Sequence, residues 1–150
     1  MPQSLSKVLL HVVFSTKNRE NMIPEPLRAK LHAYIAGICR AKGSDAFRVG
    51  GSNDHVHIAC SLPRTLTMAK LIEEIKKPSS IWMKQQDGGW PNFSWQAGYG
   101  IFSLGQSQLP ALVQYIDSQV EHHRTKSFKE ELFDFLRKYG VDYDEQYLWE

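Results

Sequence analysis

At 150 residues, 42% of them hydrophobic, the chain is long enough to bury a proper core and short enough to need no second domain, so residues 1–150 are expected to fold as one unit. Eighteen Lys and Arg against sixteen Asp and Glu leave a formal charge of +2, which excludes an argument for a polyanionic partner from composition alone. With no apolar run of membrane-spanning length, no signal-peptide pattern at the start, and only Cys39 and Cys60 available for a disulfide, the sequence excludes a disulfide-stapled secreted scaffold and predicts a cytoplasmic protein, off the membrane, with reduced, buried thiols.

Residues 5–15 are rich in β-branched and apolar side chains, too continuously so for an exposed edge, and read as a central strand. His11 lies within it and is expected to pack or hydrogen-bond inside the sheet rather than bind a metal. The polar run Thr16-Lys17-Asn18-Arg19 leaves the strand; its cations suit phosphate or a solvated loop equally. Pro24-Glu25-Pro26 opens a helix to about Lys42, with Leu27, Leu31, Tyr34, Ile35 and Ile38 as its apolar stripe and Gly43 as its stop. Residues 45–50 form a short strand, residues 51–54 a turn, and residues 55–60 a second strand, together an antiparallel hairpin.

A second helix begins near Thr67, carries Leu71, Ile72 and Ile75 inward, and should kink or break at Pro78 before resuming over residues 79–84. Its Lys70, Lys76 and Lys77 suit either nucleic-acid backbone contact or a solvated face. Trp90, Phe93, Trp95 and Tyr99 form the densest aromatic region; Trp95 reads as core, while Trp90 and Phe93 fit either core or base stacking. Residues 96–104 read as a fourth strand interrupted at Gly98 and Gly100. Ser107 is the expected cap of the next helix, with Pro110 in its first turn. Ser127 and Glu130 make a capping box for a last helix ending at Gly140, and the tail from Val141 is expected to pack as an arm on this subunit or a neighbour. The order β-α-β-β-α-β followed by two helices predicts an α+β, ferredoxin-like split βαβ fold, its sheet covered by helices on one face and open to a site on the other.

The chemistry concentrates at His55-Val56-His57. In a strand, His55, His57 and Ala59 share one face and Val56, Ile58 and Cys60 the other, so one face reads as core and the other as site. The two histidine backbones stand about 7 Å apart, from which both imidazoles can converge on one ion. Two ligands are too few. The best further candidate is the Tyr115-Ile116-Asp117-Ser118-Gln119 segment, where Gln119 can offer an amide oxygen and Tyr115 a phenol one helical turn away. Asp54 can orient a histidine or simply serve the turn.

This joint pattern resembles the small single-tyrosine HUH transposases of bacterial insertion sequences, the IS200-like family with its REP-associated relatives. The resemblance rests on His11-Val-Val-Phe-Ser-Thr-Lys-Asn-Arg19, His55-Val56-His57, the 95–103 strand, Tyr115 to Gln119 followed by His122-His123, and residues 133–149. It implies Tyr115 as catalytic nucleophile, His55, His57 and Gln119 as metal ligands, and Mg²⁺ or Mn²⁺ as cofactor. It further implies cleavage and rejoining of single-stranded DNA through a 5′-phosphotyrosine, recognition of hairpins near element ends, and a homodimer with active sites completed in trans. His122 and His123 are expected at the surface or at an interface. Two other readings remain: a replication or conjugation nickase with the same chemistry, and a non-catalytic ferredoxin-like platform for single strands.

Overall fold

Seven consecutive buried residues make β1 (Leu9–Ser15) the spine of the sheet. The computed structural model describes residues 2–122 and 126–149. β1 pairs antiparallel with β3 (His55–Ser61) on one side and β4 (Gly100–Leu104) on the other, and β3 pairs antiparallel with β2 (Ala46–Gly51). The strand order β2-β3-β1-β4, with α1 (Glu25–Ala41) and α2 (Met68–Gln85) as the two connections, is the ferredoxin-like split βαβ arrangement in an α+β fold.

Alternation along the central strands divides the molecule into two layers. Leu10, Val12 and Phe14 of β1 and Val56, Ile58 and Cys60 of β3 face α1 and α2, where Leu31, Ile35, Leu71 and Ile75 complete the larger core. The opposite face carries His11, Val13, His55 and His57. This is the face expected to carry the site, and helices from the C-terminal part of the chain cover it. α5 (Phe128–Lys138) lies there with Phe128, Leu132 and Leu136 against Val13 and Phe102, while α3 (Leu109–Asp117) packs on β2 and β3. Gly50 permits the close approach of α3, since a Cβ there would stand 2.5 Å from Ile116 Cγ2.

Several boundaries differ from expectation for local reasons. Residues 2–7 are exposed and outside the sheet, with Leu5 in solvent. α2 runs through Pro78 without interruption; its N-terminus is capped by Thr67, whose side chain accepts the Lys70 N–H, and Leu71, Ile75, Ser79 and Met83 anchor it on both sides of the proline. The fourth strand is shorter than residues 96–104. Gln96 keeps hold of Ser15 ahead of the strand, donating its backbone N–H to the Ser15 carbonyl at 2.9 Å and accepting the Ser15 N–H on its side-chain oxygen at 2.7 Å, and the regular ladder begins only at Gly100. Ser107 does not cap α3: residues 106–108 form a 3-10 turn in which Gln108 Oε1 accepts the Gly105 N–H at 2.8 Å. Ser127 caps α5 as expected, and Gly43 and Gly140, both at positive φ, follow α1 and α5. α4 (Gln119–His122) and α6 (Glu145–Leu148) are single turns. Leu148 and Trp149 of the tail return to the smaller core. Among the described residues, no helix is long and apolar enough to cross a membrane.

Cys39 and Cys60 are free and buried beneath α1 and β3, and burial pushes their thiols up to about 11 and about 12. Because the thiolate is the reactive form, the native protein at pH 8 is expected to resist an aromatic disulfide reagent, and both thiols should titrate once guanidinium unfolds the chain. Rapid reaction of either thiol in the folded protein would contradict this burial.

Candidate active site

β3 delivers His55 and His57 to the layer beneath α3 and α5, both fully buried. Each ring is fixed through its Nδ1. His55 Nδ1 lies 2.6 Å from Asp54 Oδ1, and His57 Nδ1 lies 2.7 Å from His11 Nε2, with the two rings stacked at 5.0 Å. The Nε2 atoms turn toward one locus. Gln119 Oε1 stands 2.9 Å from His55 Nε2, while Glu131 Oε1 stands 2.9 Å from His57 Nε2 and 3.7 Å from His55 Nε2. Gln119 Nε2 donates to Glu131 Oε2 at 3.2 Å, and the Tyr115 hydroxyl donates to the same oxygen. His122 Nε2 is 3.5 Å from both the phenol oxygen and Glu131 Oε2.

Asp54 sets the hydrogen-bond roles at this locus. The Asp54 carboxylate accepts, so the hydrogen of a neutral His55 sits on Nδ1 and leaves a lone pair on Nε2. That lone pair faces Gln119 Oε1, whose orientation follows from its NH₂ donating to Glu131, and Glu131 Oε1 lies just beyond. Three acceptors turned toward one point are a donor set suited to a metal ion. The nearest ligand atoms of His55, His57 and Glu131 lie within 4.8 Å of one another. Adjacent ligands held at about 2.1 Å in octahedral geometry stand about 3 Å apart, so the donor set fits a small, hard divalent cation with little rearrangement.

His11 controls the second imidazole. Burial, reinforced by His57, lowers its pKa to about 3, so it is neutral and carries one ring hydrogen. When His57 donates from Nε2 to Glu131, His11 must donate to His57 Nδ1; when His57 presents a lone pair at Nε2, its Nδ1–H is donated to His11 instead. Tyr115 is held as a phenol. Burial, then the charge of Glu131 and the hydrogen bond to it, raise its pKa well above the ordinary phenol value, with Gln119 opposing.

All four residues expected from the sequence therefore meet in one chain, although Tyr115 and Gln119 do not share a helix. α3 ends at Asp117, and Ser118 (φ −95°, ψ 9°) turns the chain before α4 starts at Gln119. His122, expected at the surface or an interface, turns into the site, and His123 lies outside the described residues. Glu131 was missed. Its signal was present, since Phe128, Glu131, Leu132 and Phe135 follow the inward spacing of α5 and a carboxylate occupies one place in an apolar stripe. Three lysines of α2 are engaged: Lys70 and Lys77 pair with Glu73 and Glu74 at 2.8–3.7 Å, and Lys76 donates to the carbonyls of Gln96 and Gly98 at 2.8 and 2.7 Å, while Lys84 is exposed near the end of the helix. Phe93 and Trp95 are core, whereas Trp90 and Tyr99 are exposed.

The profile of the family described as "Transposase IS200 like" matches residues 4–119. The chain belongs to the IS200-like transposase family. The match takes in the histidine strand, Tyr115 and Gln119, and stops before Glu131. Two solved structures share the fold with this transposase. A candidate transposase from Deinococcus radiodurans R1 is 18% identical, with a TM-score of 0.60 over 79% of this chain and 98% of that one. A REP-associated tyrosine transposase bound to a REP hairpin is 17% identical, with a TM-score of 0.60 over 82% of this chain and 73% of that one. No curated protein sequence gives a significant match.

The role of His11 is open to a direct check on this transposase. His11→Phe keeps a ring against Phe102 and Phe135 but removes the partner of His57 Nδ1, and is expected to weaken Mn²⁺ binding by about tenfold in calorimetry with unchanged stoichiometry. Wild-type affinity in that variant would show that His57 needs no help in holding its tautomer.

Proposed function

We propose that this transposase cleaves and rejoins single-stranded DNA through a 5′-phosphotyrosine on Tyr115, with Mg²⁺ or Mn²⁺ held by His55, His57 and Glu131 and by the Gln119 amide oxygen. The observation that carries the reading is the half-buried Tyr115 phenol donating to a buried carboxylate, Glu131, that also faces both histidines. When bound, the ion supplies a positive charge that draws the scissile phosphate in and neutralises charge developing on its oxygens.

The chain's own residues supply the rest. Attack forms a bond between Tyr115 Oη and phosphorus and breaks the bond from phosphorus to O3′. The phenol proton has an acceptor already in contact, Glu131 Oε2, and the departing O3′ takes up a proton to become a free 3′-hydroxyl. Since burial and Glu131 keep Tyr115 protonated at rest, the proton leaves during attack, which ties formation of the nucleophile to the presence of substrate. The phosphotyrosine conserves the ester bond energy, so a second 3′-hydroxyl can reverse the step and join a new strand. Asp54 orients His55, and His11 orients His57.

For the substrate, a hairpin-bearing single strand is the reading, supported by the hairpin bound to the REP-associated structural neighbour. The two free thiols suit a reducing cytoplasm. The homodimer implied by the sequence resemblance is part of the proposal. The trans arrangement implied by the resemblance has a cis alternative, in which Tyr115 serves the histidines of its own chain, its ring centroid 5.6 Å from that of His57.

A labelled hairpin-bearing oligonucleotide incubated with Mn²⁺ is expected to become covalently attached to the wild-type chain, to be released when offered a 3′-hydroxyl strand, and to fail to attach to Tyr115→Phe or in the presence of a chelator. Undiminished attachment to Tyr115→Phe would remove the nucleophile from its role, and attachment without any joining would favour a nickase. Mixing His57→Ala with Tyr115→Phe chains after verified subunit exchange settles the geometry: a site completed in cis predicts that the mixture stays inactive, and recovered cleavage would establish exchange of α3 between chains.

A further inference from the structure

On the far side of Gln119 from the phenol, a cleft of about 420 Å³ runs between α1 and the corner from Ile116 to Val120. Arg28 and His32, one turn apart on α1, form one wall, and Gly50, Gly51 and Gln119 form the other. Two polar atoms in this wall have no partner: Arg28 Nε and His32 Nε2 are shielded from water and make no hydrogen bond. The Arg28 guanidinium makes one long bond, from Nη2 to the Ile23 carbonyl at 3.4 Å, and no ion pair among the described residues.

A buried donor left without an acceptor costs about 1–3 kcal/mol, and the shielded Arg28 Nε–H has no carboxylate or carbonyl to receive it among the described residues. The remaining charges do not satisfy it. Asp117 is engaged by Arg48 at 3.1 Å, and Glu25 sits at the exposed mouth. His32 is held down to about 4, by burial first and then by Arg28 and His55.

We propose that this cleft is a phosphate subsite that grips a non-scissile phosphodiester of the single strand, one side of the bond cut at Tyr115. Arg28 is the principal donor, with its planar fork suited to two phosphate oxygens, and His32 contributes a second N–H from its neutral ring. Gln119 is the wall shared between this cleft and the catalytic locus, so a phosphate held here fixes the register of the strand relative to the phenol. The inference rests on the proposed action on single-stranded DNA.

The test measures equilibrium binding by fluorescence anisotropy in the non-cleaving Tyr115→Phe background, so that binding is read apart from chemistry. A hairpin-bearing oligonucleotide is prepared in versions with a single neutral methylphosphonate at each linkage in turn. One non-scissile linkage is expected to weaken binding by about tenfold when neutralised, and to have no further effect once Arg28→Gln is added, because the contact is already gone. Ala29→Glu, at an exposed position in the same cleft, should reproduce the loss by placing a carboxylate where the phosphate sits, and guards against misfolding of the arginine variant. If single strands bind but every linkage shows the same sensitivity with and without Arg28, the subsite is overturned while the proposed function stands. If no single strand binds, both fall.

Discussion

A buried carboxylate holds the layer beneath the sheet together. Glu131 is 2% exposed, and its two oxygens meet His57, Gln119 and Tyr115, with His55 and His122 within 3.7 Å. Removing such a charge from water costs several kcal/mol unless its lone pairs are satisfied, and among the described residues the side chains that meet it belong to the candidate site. The carboxylate therefore imposes one arrangement on β3, α3, α4 and α5. The side chain divides its two oxygens, Oε1 toward the histidines and Oε2 toward the phenol, so it would serve the proposed metal site and the nucleophile without giving up either.

The fold supports this constraint with two layers of unequal character. The larger core, on the α1 and α2 side, is apolar but for the buried Ser79, which accepts the Trp95 indole N–H, and sets the register of β1 against β3, with Val12 opposite Ile58 and Phe14 opposite Val56. That register places Val13 beside His57 and Ser15 beside His55 on the other face, so a slip of one residue would exchange site and core. The smaller cluster of Val13, Phe102, Phe128, Leu132 and Leu136 seats α5 and sets the position from which Glu131 reaches the histidines. Arg28 and His32 extend the polar layer beyond Gln119, on a helix whose Leu27, Leu31 and Ile35 belong to the larger core, so the proposed phosphate grip is as rigid as the core itself.

Much of this was legible in the sequence where a period or a cap carried the signal. Alternation through His55, Val56, His57 and Ile58 gave the two faces of β3, the helical stripes gave α1 and α5, and Gly43 and Gly140 marked two ends. Pro78 misled because the local rule against proline in a helix yields to burial of Leu71, Ile75 and Met83 on both sides of it. The start of α3 misled because a glutamine, not the nearby serine, satisfies the loose backbone N–H. Glu131 was hidden for a different reason. Its neighbour Glu130 satisfied the expectation of a capping box, and only the phase of the apolar stripe distinguishes the exposed glutamate from the buried one. The role of His122 depends on the turn at Ser118, which no periodicity announces.

The central claim is that Glu131 completes a metal site with His55 and His57 while holding the Tyr115 phenol. Calorimetric titration of Mn²⁺ into wild type and into Glu131→Gln tests it most directly, since the amide keeps the size of the side chain and removes its charge. The account predicts one ion per wild-type chain and affinity at least about tenfold weaker in the variant. Equal affinity and stoichiometry in the two proteins would contradict it.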